Sequence, residues 1–323
     1  MTIKKISVPE GFLFSVAEAA IKKPGRRDMA LIVSEKEAVA SGVFTKNRIK
    51  AAPVRLDMKK IRSGKAQAII INSGNANACT GAQGMRDADE MSELTAKGMN
   101  LKKGLVYVCS TGVIGACMPM DRVREGISGL TNNIGKSSIL DVAAAIMTTD
   151  SFRKTASRKI NIGNKTITIT GVCKGAGMIC PDMATMLCFI LTDANISKTA
   201  LNKALKTAVA GSFNRITIDG DMSTNDTVLI MANGMARNSL ITEITSYYNN
   251  YLTGLTEVTL ELSRMIVMDG EGATKLIDIE IRNAASDRDA GKGAFAVENS
   301  LLVKTAIYGN DANWGRIMAA LGY

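Results

Sequence analysis

Thr185 is the residue of this chain whose setting most favours covalent chemistry. It follows the small residue Ala184, between a glycine-rich stretch and an apolar run, in residues 174–191, KGAGMICPDMATMLCFIL. A threonine hydroxyl is a weak nucleophile unless a base takes its proton, and the chain contains no histidine. Backbone cleavage before Thr185 would supply a base, because a free α-amine is partly unprotonated at neutral pH. The alternative is a threonine that simply opens an ordinary buried strand.

Further segments of small and polar residues stand beside strand-like runs. They are NSGNANACTG at 72–81, STGVIG at 110–115, MTTD at 147–150, SFNRITIDGDMSTNDT at 212–227 and DGEGATK at 269–275. The 212–227 segment predicts a buried hydrogen-bond network that supports a site, formed by Asn214, Arg215, Asp219, Asp221, Asn225 and Asp226. The glycines of the 269–275 segment lack the residue order of a nucleotide-binding P-loop, so ATP is not expected.

Together with PMD at 119–121 and KTAIYGNDANWGR at 304–316, these segments resemble the sequence blocks of one enzyme family, in the same order and nearly end to end. It is the ornithine acetyltransferase family, the bifunctional glutamate N-acetyltransferases of arginine biosynthesis. The resemblance implies that the Thr185 hydroxyl attacks the Ala184 carbonyl and cuts the chain. Thr185 would then carry an acetyl group from N2-acetylornithine to glutamate. No bound cofactor is implied; acetyl-CoA is a second acetyl donor in some members, and nothing in the sequence selects between these alternatives.

The resemblance also places an oxyanion hole at Thr111 and Gly112. A loop after a buried strand can direct a hydroxyl and a backbone N–H at one oxygen, which fits that role. A Thr-Gly pair also favours a plain turn at the end of a strand.

Substrate contacts are implied at three further positions. Lys174 is expected to bind the α-carboxylate of an amino-acid substrate, and Glu271 to receive its ammonium group. Thr148 matches a further contact, with Thr149 as the alternative one position away. No metal site is expected, because the six cysteines form no Cys-x-x-Cys pair and there is no histidine.

Composition limits the class of protein. With 323 residues, 46% hydrophobic and 22% charged, the chain has the composition of a soluble globular protein. The net charge of +10 is spread over the whole chain in short pairs such as 22–23 and 26–27, and aromatic residues are only 4%, so nucleic acid is not an expected partner. There is no apolar run of membrane length and no signal peptide, and the cysteines are expected to be buried free thiols, which favours the cytoplasm.

Strand-like and helical patterns alternate, so the predicted class is α/β or α+β. The predicted strands are 66–72, 105–109, a hairpin over 160–170, a strand ending near 191, 228–232 and a half-buried strand at 275–282; helices are predicted after 81, from Ser197, and over 255–268. The resemblance implies a layered αββα-like sandwich, cut into an α chain (1–184) and a β chain (185–323) that pair as α2β2.

Two departures from the family pattern keep other functions open. Asp182 stands where the family more often has Asn. The chain stops at Tyr323, whereas the family continues with a β-chain segment that supplies an Asn and a Thr or Ser to the substrate. The alternatives are an amidase or aminopeptidase with the same N-terminal threonine, which passes its acyl group to water, and an inactive truncated remnant.

Overall fold

The computed structural model describes residues 6–180 and 186–322. Its strands are β1 (Phe12–Ala17), β2 (Met29–Phe44), β3 (Lys65–Asn72), β4 (Val106–Ser110), β5 (Lys154–Ile162), β6 (Lys165–Lys174), β7 (Leu187–Thr192) and β8 (Thr227–Ala232). Its helices are α1 (Ala52–Lys60), α2 (Gly81–Gly98), α3 (Met120–Asn132), α4 (Ile139–Ala145), α5 (Lys198–Ala210), α6 (Tyr247–Met268), α7 (Asp287–Asn299), α8 (Leu301–Tyr308) and α9 (Trp314–Leu321). The fold is therefore mixed α/β, as predicted.

The described strands form one eight-stranded sheet, in the order β4-β3-β2-β8-β7-β6-β5, with β1 paired to β2. The β3–β4 and β7–β8 pairs are parallel and the other pairs are antiparallel. β2 is long enough to join the two halves, since its first part pairs with β1 and its last part with β8. The register between β2 and β3 shifts between Val33 and Ala38, where β2 passes from its pairing with β1 to its pairing with β8.

Alternating side chains of the strands enter different hydrophobic cores. Ile69 and Ile71 of β3 pack in the same cluster as Phe189 and Leu229, which come from β7 and β8. The intervening side chains enter one of two other clusters, one built with α2 and α3 and the other with α5 and α6. Each strand of the centre thus buries both of its faces, which explains its nearly continuous apolar sequence.

Most of the predicted elements are confirmed. The hairpin turns at 163–164, between the paired residues Ile162 and Lys165. Ser197 caps α5, with its side chain accepting a hydrogen bond from the Ala200 N–H. Met91 and Ala88 of α2 face the core, as their helical spacing predicts.

The predicted strand at 275–282 is wrong. Residues 271–284 form neither helix nor strand, and Leu276 and Ile277 are 40% and 42% exposed. The alternation of isoleucines fits a half-buried strand, but a strand also needs a neighbour for its backbone hydrogen bonds. No described strand pairs with this segment; it lies beside α7–α9, where a small cluster around Val297 and Val303 includes Ile279.

The prediction of buried thiols is correct for half of the cysteines. Cys109, Cys173 and Cys188 are buried free thiols on strands, Cys180 is half-buried, and Cys79 and Cys117 are exposed. None of the described helices has the length and apolar character required to span a membrane.

Candidate functional site

A cavity of about 440 Å³ gathers five of the predicted site residues. They come from four separate segments of the chain. Those residues are Thr111, Gly112, Thr148, Lys174 and Glu271. Thr149 also lines the cavity, but Thr148 is half-buried whereas Thr149 is exposed.

Thr111 and Gly112 follow the end of β4. The Thr111 N–H donates to the Asn72 carbonyl at 3.0 Å, which continues the pairing of β3 and β4 into the loop. Gly112 has φ +135°, and a Cβ there would lie 2.5 Å from the Gly74 carbonyl carbon. Only glycine fits this position. No described residue accepts a hydrogen bond from the Gly112 N–H, so this donor is free for a ligand in the described part of the site.

Lys174, the last residue of β6, is only 4% exposed although it lines the cavity. Its ammonium group donates to Thr111 Oγ1 at 3.5 Å. The Thr111 hydroxyl accepts this bond, so it can donate its own proton to another acceptor. Burial lowers the pKa of Lys174, while the carboxylates of Asp150 and Asp226 act to keep it charged. The arrangement is a buried cation beside a hydroxyl donor, which suits a carboxylate and an oxyanion in neighbouring positions.

Glu271 is far from the Thr111 loop in the sequence. Its backbone is hydrogen-bonded to the loop that follows Lys174. The Glu271 N–H donates to the Ala176 carbonyl at 2.8 Å. A Cβ on Gly177 would lie 2.8 Å from Glu271 Oε1. Gly177 therefore leaves the room in which the Glu271 carboxylate lies, and both this carboxyl group and Lys174 line the cavity.

An amide network (Asn72, Asn75 and Asn225) holds the Thr111 side of the cavity. Asn72 Nδ2 donates to Ser110 Oγ at 2.7 Å, while its Oδ1 accepts from the Asn75 N–H at 3.0 Å. Asn225 Nδ2 donates to the carbonyls of Ala76 at 2.6 Å and Ser110 at 2.7 Å. Neutral side chains thus tie the two loops together.

An ion cluster (Asp150, Lys154 and Asp269) holds the other side. Lys154 Nζ lies 2.7 Å from Asp150 Oδ1 and 2.5 Å from Asp269 Oδ2, and the Lys154 side chain is fully buried. Sequence reasoning missed Lys154, since a lysine at the start of a strand normally faces solvent. The available signal was Asp150 in MTTD, a carboxylate beside predicted site residues that needs a cation nearby if it is buried.

The predicted network at 212–227 exists in part. Asn225 and Asp226 are buried, whereas Arg215, Asp219 and Asp221 are exposed. Asp219 nevertheless accepts from the N–H groups of Met178 and Ile179, next to the Lys174 loop.

Asp226 binds the backbone of Met186, the first described residue after the predicted nucleophile. Its Oδ1 accepts from the Met186 N–H at 3.0 Å, and Met186 follows Thr185 in the sequence. Burial raises the pKa of Asp226 well above its usual range, and Lys174 acts in the opposite direction. Thr185, Ala184 and Asp182 themselves lie outside the described residues.

The mouth of the cavity is basic. Its lining includes Lys22, Lys23 and Arg26, and both Lys22 and Lys23 are exposed. The loop that carries them is fixed by Asp28, whose carboxylate accepts from the N–H groups of Ala19 and Ile21 at 2.7 Å each. Within residues 6–180 and 186–322, no group of three or more acidic or thiol side chains is placed to hold a metal ion.

Comparison with known sequences gives consistent matches over almost the whole chain. A sequence model of the ArgJ family matches residues 13–323. The arginine biosynthesis bifunctional protein ArgJ of Geobacter sulfurreducens is 52% identical over 314 residues, which are 97% of this chain and 80% of that protein.

Two solved structures are similar as well. The arginine biosynthesis bifunctional protein ArgJ of Bacillus halodurans is 36% identical with a TM-score of 0.52, over 55% of this chain and 92% of that chain. The ornithine acetyltransferase of Mycobacterium tuberculosis, solved in complex with ornithine, is 32% identical with a TM-score of 0.48, over 55% of this chain and 94% of that chain.

Proposed function

The chain belongs to the ArgJ family, and we propose that it transfers the acetyl group of N2-acetylornithine to glutamate through an ester on Thr185. As a member of this family it is an acyltransferase of arginine biosynthesis, an ornithine acetyltransferase and glutamate N-acetyltransferase.

The observation that carries the proposal is the meeting of Thr111, Gly112, Thr148, Lys174 and Glu271 around one cavity. An acetyl transfer between amino acids needs an oxyanion hole and contacts for a carboxylate and an ammonium group. The Thr111 hydroxyl and Gly112 N–H supply the first. Lys174 binds the α-carboxylate, Glu271 receives an ammonium group, and Thr148 contacts the substrate between them.

Self-cleavage creates the nucleophile in this proposal. The Thr185 hydroxyl oxygen bonds to the Ala184 carbonyl carbon, the C–N bond breaks, and the nitrogen takes the hydroxyl proton. Water then hydrolyses the ester, which leaves a carboxylate on Ala184 and a free α-amine and hydroxyl on Thr185. The extent of the Bacillus halodurans match supports this step: 55% of our chain covers 92% of that solved chain, and residues 1–184 would likewise be slightly more than half of ours.

The acetyl transfer then proceeds in two halves. The α-amine of Thr185 takes the hydroxyl proton as the oxygen attacks the acetyl carbonyl of N2-acetylornithine. Thr111 and Gly112 stabilise the resulting oxyanion, an effect typically worth about 10²–10³ in rate per donor. The C–N bond breaks, the proton passes to the departing α-amine of ornithine, and the acetyl group stays on Thr185. The α-amine of glutamate then attacks the ester carbonyl, the bond between the acetyl carbon and the Thr185 oxygen breaks, and the proton lost by the amine returns to that oxygen by way of the Thr185 α-amine. N-acetylglutamate leaves, and the Thr185 hydroxyl is restored.

We assign the finer architecture on the same basis. The three cores, with a central one shared by both halves of the sheet, support an αββα arrangement. Cleavage would divide it into an α chain (1–184) and a β chain (185–323), which pair as α2β2. The cytoplasm stays the predicted compartment, in keeping with the free thiols.

The basic mouth of the cavity favours acetyl-CoA as a second acetyl donor. Lys22, Lys23 and Arg26 lie where the phosphates of an extended anionic donor could enter. Release of free thiol from acetyl-CoA in the presence of glutamate would test this second activity.

Intact mass of the denatured protein, beside Thr185→Ala and Thr185→Ser variants, tests the proposal. Fragments 1–184 and 185–323 are expected for the wild type and the serine variant, and one uncut chain for the alanine variant. Incubation with N2-acetylornithine should then add one acetyl group to the 185–323 fragment. Acetyl loss that is equally fast without glutamate would identify a hydrolase instead. An uncut wild-type chain that forms no ester would overturn the proposed mechanism and favour an inactive remnant.

A further inference from the structure

Lys154 is a fully buried cation that does not line the cavity. Its ammonium group pairs with Asp150 and Asp269, whose side chains are 0% and 4% exposed. Burying three charges is costly unless they compensate one another closely. Hydrophobic side chains of similar size could fill such a space without that cost. The three charges therefore call for a role other than stability, such as fixing the positions of the segments that they join.

Asp150 connects Lys154 to two segments that carry cavity residues. Its Oδ2 accepts from the Thr148 N–H at 3.0 Å, and its Oδ1 accepts from the Gly175 N–H at 2.7 Å. Gly175 follows Lys174 directly. One carboxylate thus fixes the backbone beside both Thr148 and Lys174.

Asp269 connects Lys154 to the third segment. It accepts from the Ser151 N–H at 3.0 Å, and it stands two residues before Glu271. The Glu271 N–H in turn donates to Ala176 at 2.8 Å. The segments that carry Thr148, Lys174 and Glu271 are therefore linked to one another through hydrogen bonds, and two of the linking carboxylates pair with the Lys154 ammonium group.

We propose that Lys154 is a positioning residue, which sets the relative places of Thr148, Lys174 and Glu271 without touching the substrate. The part of this inference that concerns substrate binding rests on the proposed function. A displacement of about 1 Å in groups that hold a substrate can cost about 10² in rate. Loss of the shared cation would leave Asp150 and Asp269 repelling each other, so the segments they hold would separate.

Hydrogen–deuterium exchange, read by mass spectrometry on the full chain, tests the positioning directly and needs no activity. In Lys154→Met, peptides that contain residues 147–151 and 174–177 should exchange at least tenfold faster than in the wild type. A peptide from 66–72, in β3, should be unchanged. Unchanged exchange in the first two peptides, or an equal increase in all three, would overturn the inference.

Steady-state kinetics extends the test to the substrate. Lys154→Met should lower kcat/KM for N2-acetylornithine about 10²-fold, mostly through KM, while still being cut before Thr185. Lys154→Arg keeps the charge, so its kcat/KM should be at least tenfold higher than that of Lys154→Met. If the methionine variant does not fold, the arginine variant decides: its longer head group should raise KM at least threefold, and a wild-type KM would contradict the inference. Failure of the wild type to cleave or to form an ester would contradict only the proposed mechanism on Thr185. The exchange result does not depend on that mechanism, so it would still test the role of Lys154.

Discussion

The two sides of the cavity are held by different kinds of interaction. On the Thr111 side, the amide network joins two loops through neutral hydrogen bonds to backbone carbonyls, a backbone N–H and the Ser110 hydroxyl. On the Lys174 side, the ion cluster joins three segments through buried charges. The difference matches what each side is proposed to bind.

A developing oxyanion is stabilised by fixed neutral donors, and a carboxylate close to it would oppose the reaction. Amide side chains can fix the oxyanion loop without adding a negative charge. An amino-acid substrate instead brings charges of its own, and in the proposed mechanism Lys174 and Glu271 face them in fixed positions. Compensated buried charges hold the backbone on that side, so its geometry depends on the protonation of its members, whereas that of the amide network does not.

The largest expected effect is loss of stability in the ion cluster. Asp269→Asn removes one of the two anions of a buried lysine, and breaking a buried pair typically costs about 3–5 kcal/mol. Urea unfolding of the purified protein measures this. The matched control is Glu257→Gln, which breaks the exposed Arg158–Glu257 pair of similar length and should cost about 0–1 kcal/mol. Equal losses in the two variants would contradict a special role for the cluster.

A steric change should disrupt the proposed oxyanion side without any change in charge. In Gly112→Ala the new Cβ would press on Gly74 and Asn75 at 2.5–2.7 Å. The loop must shift, and we expect kcat to fall by about 10²–10³, the cost of losing one oxyanion donor. Gly115→Ala is the control, because Gly115 has φ +83° but open space around it. Similar losses in both variants would assign the effect to backbone strain instead of donor placement.

Removing an amide should have a smaller effect. Asn225→Ala leaves the carbonyls of Ala76 and Ser110 without their donor. A buried group left unsatisfied costs about 1–3 kcal/mol, which thermal or urea unfolding would detect, and the change should be the same at pH 5 and pH 8. Asn161→Ala, at an exposed bond to Thr166, should stay within about 0.5 kcal/mol. A strong pH dependence in Asn225→Ala would remove the distinction between the two sides.

Acid should weaken the ion cluster selectively. Burial acts to raise the pKa of Asp150. The positive charges of Lys174 and Lys154 lower it by a larger amount, so the net pKa lies below the usual 3.8. Asp150 therefore contributes stability that is complete above about pH 4 and is lost as the pH falls through its folded pKa. The difference in unfolding free energy between wild type and Asp150→Asn should be constant above that pH and shrink below it. A difference that grows in acid would show that the sign is wrong.

Much of the fold followed from short-range patterns. The apolar run after Thr185 predicted β7, the turn at 163–164 predicted the hairpin, and Ser197 predicted the start of α5. The error at 275–282 has a clear cause: the alternation of residues defines a face, but only another strand makes it a sheet.

The sequence by itself predicted the family and elements such as β7, the β5–β6 hairpin and the start of α5, because ordered motifs, periodicity and turn residues act over short stretches of chain. The family resemblance then named five of the residues that line the cavity. Only the tertiary structure decided how the cavity is held. Lys154 meets Asp269, 115 positions away, and Asn225 reaches Ala76, 149 positions away. Such contacts depend on the order of strands in the sheet, which local patterns do not encode. Asp150 is only four residues from Lys154, but it is the topology that buries this pair and brings the distant Asp269 against the lysine.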